Sequence, residues 1–305
     1  MKNKIVDVKN LTKKYENKDS FALDHINLKI EQGSIFGLLG PNGAGKSSFI
    51  NIISGLSNKT SGKVLVCGVD LDFDPKTIKG NIGVVPQEIN IDPFFSPLEI
   101  MNIQSGMYGV KKKDNNNLEI LKKLDLYDKA HAYSRSLSGG MKRRLMVAKA
   151  LVHKPPIVIL DEPTAGVDVE LRSNLWDNVK LLNKQGVTVI LTTHYLNEAE
   201  EMCDRIGILN KGDLVALDTT KNLLNRIQTK IVKFKINKKV NINKESLKSV
   251  NIISNDGNEL VLSYEKSSLS ITEIIKFINE QNIKISDIST DDGDLEDVFI
   301  RLTKN

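Results

Sequence analysis

Gly40, Pro41, Asn42, Gly43, Ala44, Gly45, Lys46 and Ser47 follow one another in the pattern G-x-x-x-x-G-K-[ST], which folds backbone amides around phosphate. Gly40, Gly43 and Gly45 allow backbone angles that turn successive N–H groups inward, and a helix starting there adds its positive end. In such a loop Lys46 reaches the β- and γ-phosphates as a point charge, and Ser47 offers its hydroxyl to Mg²⁺. With Ser48, the run from Gly40 is the candidate nucleotide site. A second chemical cluster ends the apolar run Ile157, Val158, Ile159, Leu160 with Asp161 and Glu162. A buried parallel strand would deliver these acids to the C-terminal edge of a sheet. Alternation along that strand turns them to opposite sides, so that Asp161 suits Mg²⁺ and Glu162 takes the proton of an attacking water. His194 ends another apolar strand, Val187–Leu191. Gln87, after Val84, Val85 and Pro86, reads from the residues alone as an ordinary strand-end amide or as a ligand. Ser138, Gly139 and Gly140 before a helical run read as an N-cap and a turn.

The elements that must position these groups follow from periodicity. Ile35–Leu39 is a short buried strand, and Phe49, Ile50, Ile52 and Ile53 recur at helical spacing, which sets the phosphate loop at a strand-to-helix turn. Ile5–Val8 and the alternating Ile26–Ile30 read as an antiparallel edge. After Gln87 the pattern is helical to about Arg135, broken by Pro93, Pro97 and the polar stretch from Lys111 to Asn117. Arg205–Leu217 reads as a hairpin around Asn210, Lys211, Gly212 and Asp213. From about Thr219 the character changes. Val232, Phe234 and Ile236 alternate with lysines, Glu259–Tyr264 reads as a strand, Ser270 and Glu273 form a capping box, and a last helix carries Leu295, Val298, Phe299 and Leu302.

The phosphate loop, Gln87, the run Leu137 to Met141, the strand ending in Asp161 and Glu162, the stretch Ala165 to Asp168, and Thr193 with His194 resemble in order and spacing an ABC transporter ATPase. The resemblance spans about residues 4–220. It implies an α/β fold: a P-loop NTPase domain of the ABC type at 1–220, with an antiparallel edge sheet and a helical subdomain at about 88–153. A small α+β accessory domain at 221–305 would follow. It further implies ATP and Mg²⁺ as cofactors, with Ser47, Gln87 and Asp161 on the metal and Glu162, His194, Gln87 and Lys46 as the catalytic set. Tyr15 would stack on adenine. Ser138, Gly139 and Gly140 would bind the γ-phosphate held by a second subunit, Asp168 would cross to the opposite site, and the active unit would be a homodimer, or a heterodimer with a related ATPase. Met141 departs from the glutamine common at that position. With the Lys142, Arg143, Arg144, Leu145 that follow and the ending Leu295–Phe299, it resembles the branch that drives exporters of drugs, peptides and polysaccharides.

Length and composition agree with that resemblance. The 305 residues leave room for one large and one small domain. No run approaches the 18 or so apolar residues of a spanning helix, and the first residues lack the apolar core of a signal peptide. A separate multi-span permease is therefore the expected partner, with this chain on the cytoplasmic face of the membrane. The net charge of +5 is modest, Lys111–Lys113 reads as a solvated loop, and no nucleic acid is expected. Cys67 and Cys203 read as cytosolic thiols. A non-transport ABC ATPase acting on ribosomes or DNA is opposed by the single phosphate loop and by the absence of heptads between Ser47 and Ser138. Met141 and the C-terminal ending disfavour an importer.

Overall fold

A computed structural model describes residues 3–16, 18–164, 169–227, 229–241, 250–266 and 268–303, without the side chains of 169–171 and 174. The chain forms two compact units, 1–219 and 220–305.

In the first unit, β1 (Lys4–Lys13) pairs antiparallel with β2 (Leu23–Glu31). Next come β3 (Ile35–Leu39), α1 (Lys46–Ile53), β4 (Ser61–Val66), β5 (Val69–Asp70), α2 (Pro75–Gly80) and β6 (Ile82–Val85). Three α-helices follow: α3 (Pro97–Met107), α4 (Asn117–Lys123) and α5 (Gly139–Leu151). The unit ends with β7 (Ile157–Asp161), α6 (Val169–Lys184), β8 (Thr188–Thr193), α7 (Leu196–Met202), β9 (Arg205–Asn210) and β10 (Asp213–Thr219). One antiparallel sheet has the order β2-β1-β4-β5, and a larger one the order β10-β9-β3-β8-β7-β6. In the larger sheet β9, β3, β8, β7 and β6 run parallel, which sets the C-terminal ends of β3, β7 and β8 side by side. That edge is where open parallel sheets place their ligands. β3 is buried at every position, as a strand covered on both faces must be. Phe49, Ile50, Ile52 and Ile53 of α1 join residues of both sheets, among them Val6, Leu28, Phe36 and Ile159, in one apolar cluster. The phosphate loop is thereby anchored at both ends in the core.

β9 and β10 form the expected hairpin. Its turn residues Lys211 and Gly212 both have positive φ, 49° and 92°, as a two-residue turn of matching twist requires. Pro97, expected to break the helical pattern, instead opens α3: Ser96 caps the helix reciprocally with Glu99, and a proline at the first position has no N–H to lose. The segment before α3 holds Phe94, 71% exposed, and Phe95, 42% exposed, so neither is a core residue.

The second unit contains α8 (Thr220–Leu224), β11 (Thr229–Ile236), β12 (Val250–Asn255), β13 (Glu259–Glu265), α9 (Ile271–Glu280), β14 (Ile285–Asp291) and α10 (Leu295–Thr303). Its antiparallel sheet has the order β12-β13-β11-β14. Val232, Phe234 and Ile236 pack with Leu260, Leu262, Ile274 and Ile278. Ser270 and Glu273 make the capping box of α9, with Glu273 Oε2 accepting from Ser270 N at 2.7 Å. Among the described residues, no helix is long and apolar enough to cross a membrane.

Candidate functional site

At the end of β3 the chain turns through Gly40–Gly45 into α1. Gly45 has φ 109°, and a Cβ there would lie 2.4 Å from the carbonyl oxygen of Ala22, so the turn admits only glycine. Gly43, at φ 81°, has nothing within 4 Å of where its Cβ would stand, so its backbone angle and not crowding favours glycine there. Lys46 is 7% exposed and donates from Nζ to the carbonyl oxygens of Gly40 at 2.6 Å and Pro41 at 3.2 Å. Burial pushes its ammonium below the ordinary lysine range, against the pull of the Glu162 and Asp161 carboxylates.

The structure gathers Tyr15, Asn42, Gly43, Ala44, Gly45, Lys46, Ser47, Ser48, Gln87, Asp161 and Glu162 around one cavity of about 240 Å³. The Tyr15 and Ser48 hydroxyls share a hydrogen bond of 3.1 Å, and Lys13 Nζ lies 4.6 Å over the Tyr15 ring. Gly40 and Pro41 take part through their carbonyls. His194, just past β8, joins through Glu162: its Nδ1 lies 3.3 Å from Glu162 Oε2, and Gln87 Nε2 donates to the same oxygen at 2.9 Å. Ser138, Gly139 and Gly140 do not line this cavity. Ser138 is the N-cap of α5 and accepts from Met141 N at 3.2 Å, while nothing lies within 4 Å of a Cβ built on Gly139. Asp168 falls outside the described residues.

One expectation is corrected. β7 ends at Asp161, and Glu162 has left the strand with φ 45°, so pleat alternation does not aim the two acids to opposite sides. Both face the same cavity. A non-glycine residue in that region costs about 1–3 kcal/mol and persists only where its surroundings impose it. Thr192 supplies part of that constraint: Glu162 N donates to its carbonyl at 3.1 Å and to Oγ1 at 3.0 Å, and the hydroxyl donates to Asp161 Oδ1 at 2.5 Å.

Arg143 supplies the rest, and motif spacing alone did not single it out. The side chain is 4% exposed and spends its donors on backbone carbonyls: Nε on Pro163 at 2.8 Å, Nη1 on Pro86 at 2.9 Å and Gln87 at 2.7 Å, and Nη2 on Glu162 at 2.7 Å. A guanidinium is planar and forked, so one side chain from α5 holds the loop of Gln87 to the loop of Glu162. The available signal is that Arg143 stands on the stripe it shares with Met146, Val147 and Ala150, all buried.

The residues fit a nucleotide with a divalent cation. Open amides and a buried ammonium suit polyphosphate. Ser47, Gln87 and Asp161 offer hydroxyl, amide and carboxylate oxygens, the hard donors Mg²⁺ takes alongside substrate phosphates. Among the described residues no group of three or more His, Cys, Asp or Glu could hold a metal by itself.

A family profile described as ABC transporter matches residues 23–165. The chain is 34% identical, over 98% of its length and 98% of the relative's, to the linearmycin resistance ATP-binding protein LnrL of Bacillus subtilis. It is 37% identical to a Nod factor export ATP-binding protein I of Cupriavidus metallidurans, covering 70% of each chain. Among solved structures it resembles an ATP-binding subunit of an ABC transporter, with TM-score 0.65, 26% identity, and 73% of this chain and 92% of that one covered. It also resembles a dimeric post-hydrolysis ATP-binding cassette bound to ADP and Pi, with TM-score 0.63, 30% identity and coverage of 70% and 98%. The chain belongs to the ABC transporter family as an ATP-binding, ATP-hydrolysing subunit.

Proposed function

We propose that the chain powers an exporter, working as a dimer that closes on ATP and moves a separate multi-span permease from the cytoplasmic face of the membrane. The observation that carries the catalytic part is the convergence of Gln87 Nε2 and His194 Nδ1 on Glu162 Oε2, at the cavity that also takes Lys46 and Asp161. Lys46 turns from the carbonyls of Gly40 and Pro41 to the phosphates, and Ser47, Gln87 and Asp161 would hold Mg²⁺, which would supply positive charge to the phosphate oxygens. Glu162 takes the proton of the attacking water, and His194 faces the γ-phosphate while steadying Glu162. Tyr15 stacks on adenine once Lys13 moves from its ring.

Ser138, Gly139 and Gly140 stand at the start of a helix and outside their own chain's cavity, which supports a role on the ATP of a second subunit. The extension from 1–220 into a small domain at 221–305 matches the length of the linearmycin resistance relative, and the name of the Nod factor export relative supports export. The exposed Phe94 and Phe95, in the segment after Gln87, are the proposed grip for the permease, within a helical subdomain of about 88–153.

The test is purification from cell membranes. The wild-type chain is expected to bring down a multi-span membrane protein, and the F94S/F95S double variant to lose that protein while hydrolysing ATP at the basal rate. Recovery with ribosomes or DNA, without any membrane protein, would refute the exporter reading.

A further inference from the structure

α7 begins two residues after His194 and carries a carboxylate on its inner side. Glu198 is 5% exposed and shares the buried stripe of Ala199 and Met202, whereas Glu201 of the same helix is exposed. An ionised carboxylate is costly to bury unless it is paired and hydrogen-bonded, so its partners show what the burial accomplishes. Oε2 accepts from Thr164 Oγ1 at 2.8 Å and from Thr193 Oγ1 at 3.3 Å, and Oε1 lies 3.3 Å from Arg172 Nε of α6. Burial pushes the Glu198 carboxyl above the ordinary range, opposed by Thr164, Arg172, Thr193 and His194.

These partners flank the two groups at the centre of the proposed chemistry. Thr164 lies two residues beyond Glu162. Thr193 immediately precedes His194, and its hydroxyl also accepts from Tyr195 N at 2.9 Å, so it spans the turn that carries the imidazole. Arg172, besides pairing with Glu198, lies 4.9 Å over the Tyr195 ring, which in turn packs against His194 with ring centres 4.1 Å apart. His194 itself is about half exposed, with 47% of its side chain open to solvent, so the turn beneath it must hold its contact with Glu162.

We propose that Glu198 is a positioning residue for ATP hydrolysis: by tying Thr193 to Thr164, it fixes the turn that bears His194 against the strand end that bears Glu162. The inference rests on the reading of Glu162 and His194 given above. Glu198 touches neither substrate nor metal and acts through His194. A misplacement on the scale of an ångström at a reacting group costs up to about 10²-fold in rate, which sets the size of the effect.

The experiment measures kcat and KM for Mg·ATP, and equilibrium ATP affinity, on the full-length chain. Glu198→Ala is expected to lower kcat by about tenfold to 10²-fold and to leave KM and affinity unchanged. Glu198→Gln keeps a carbonyl oxygen for both threonine hydroxyls and is expected to recover most of that loss. Were Glu198 only an ion-pair partner of Arg172, the uncharged glutamine would behave like alanine, and that result overturns the proposal. In a His194→Ala background, Glu198→Ala is expected to cost nothing more, since no imidazole remains to position; losses that multiply overturn it as well. Thr164→Val removes one donor from a site that holds its shape, so it keeps the test open if Glu198→Ala does not fold. A smaller kcat loss is expected from it, and wild-type kcat counts against the proposal. If Glu162→Gln and His194→Ala hydrolyse ATP at the wild-type rate, the reading of the site falls first. If both are slow while Glu198→Ala is as fast as wild type, only the positioning role falls.

Discussion

The first unit buries Lys46, Arg143 and Glu198, whereas the second, among its described residues, buries no charged side chain. On its surface Asp292, 61% exposed, lies 2.9 Å from Lys230 and 3.6 Å from Lys266. Exposed pairs of this kind contribute little, about 0–1 kcal/mol each. Burying a charge costs far more, and the first unit bears that cost near the C-terminal edge of one sheet: Lys46 lines the ATP cavity, Arg143 holds the carbonyls of Gln87 and Glu162, and Glu198 holds Thr164 and Thr193, which flank Glu162 and His194. The contrast teaches that the two units are held together by different means. The second is an apolar layer beneath α9, and the first is a packed sheet with a polar framework built around one site.

The strongest test of that contrast is Glu162→Gln, which removes the proposed base and keeps a similar shape. Turnover is expected to fall by about 10² to 10⁴-fold with ATP binding retained, and ATP-bound dimers should accumulate on size exclusion. Near-normal hydrolysis would take the chemistry away from the cavity described here.

Arg143→Lys is expected to cost less, up to about 10²-fold in single-turnover rate, since an ammonium is a point donor and cannot span carbonyls of two loops. Unchanged hydrolysis would show that the loops of Gln87 and Glu162 keep their register without the fork. This residue also marks the limit of what the sequence made legible. Gly40–Ser48 could be read directly, because a loop that wraps phosphate in backbone amides requires glycines and a lysine at fixed spacing. Asp161 and Glu162 were visible at the end of an apolar strand, and the sheet order did bring them beside Lys46. The left-handed backbone at Glu162 was not visible, since strand alternation is the default for such a run and only contacts with Thr192 and Arg143 overrule it. Arg143 and Glu198 escaped for a related reason. Most of their partners are backbone carbonyls and hydroxyls, several of them distant in sequence, which carry no motif, and the remaining trace is a charged residue on the buried stripe of a helix. In the second unit the capping box and the alternation of β11 were plain, because local hydrogen bonds and a single buried face produce them.

Tyr15→Ala addresses the rim of the cavity. Stacking of a base on an aromatic ring is worth about 1–3 kcal/mol by substitution, so KM for ATP should rise while kcat holds. An unchanged KM would leave Tyr15 as a partner of Ser48 and Lys13 alone.

The smallest effect on the ATP site is expected from Phe234→Ala, and that makes it the sharpest probe of the difference between the units. Phe234 is fully buried at the centre of the second unit's core, beside Leu260, Leu262 and Ile274. Truncating such a ring typically costs about 3–5 kcal/mol, enough to unfold a small apolar layer that, among its described residues, buries no charged side chain. Every residue lining the ATP cavity lies before Thr219, so ATP affinity should stay at the wild-type value. A ligand that binds only folded protein raises the stability of the unit that binds it, so a thermal melt with ATP added should shift the first unit's transition and not the second's. In Phe234→Ala the second transition should move down or vanish while the ATP-dependent shift of the first persists. Loss of that shift would mean that the apolar unit supports the charged one, and the division of labour drawn from their buried side chains would have to be abandoned.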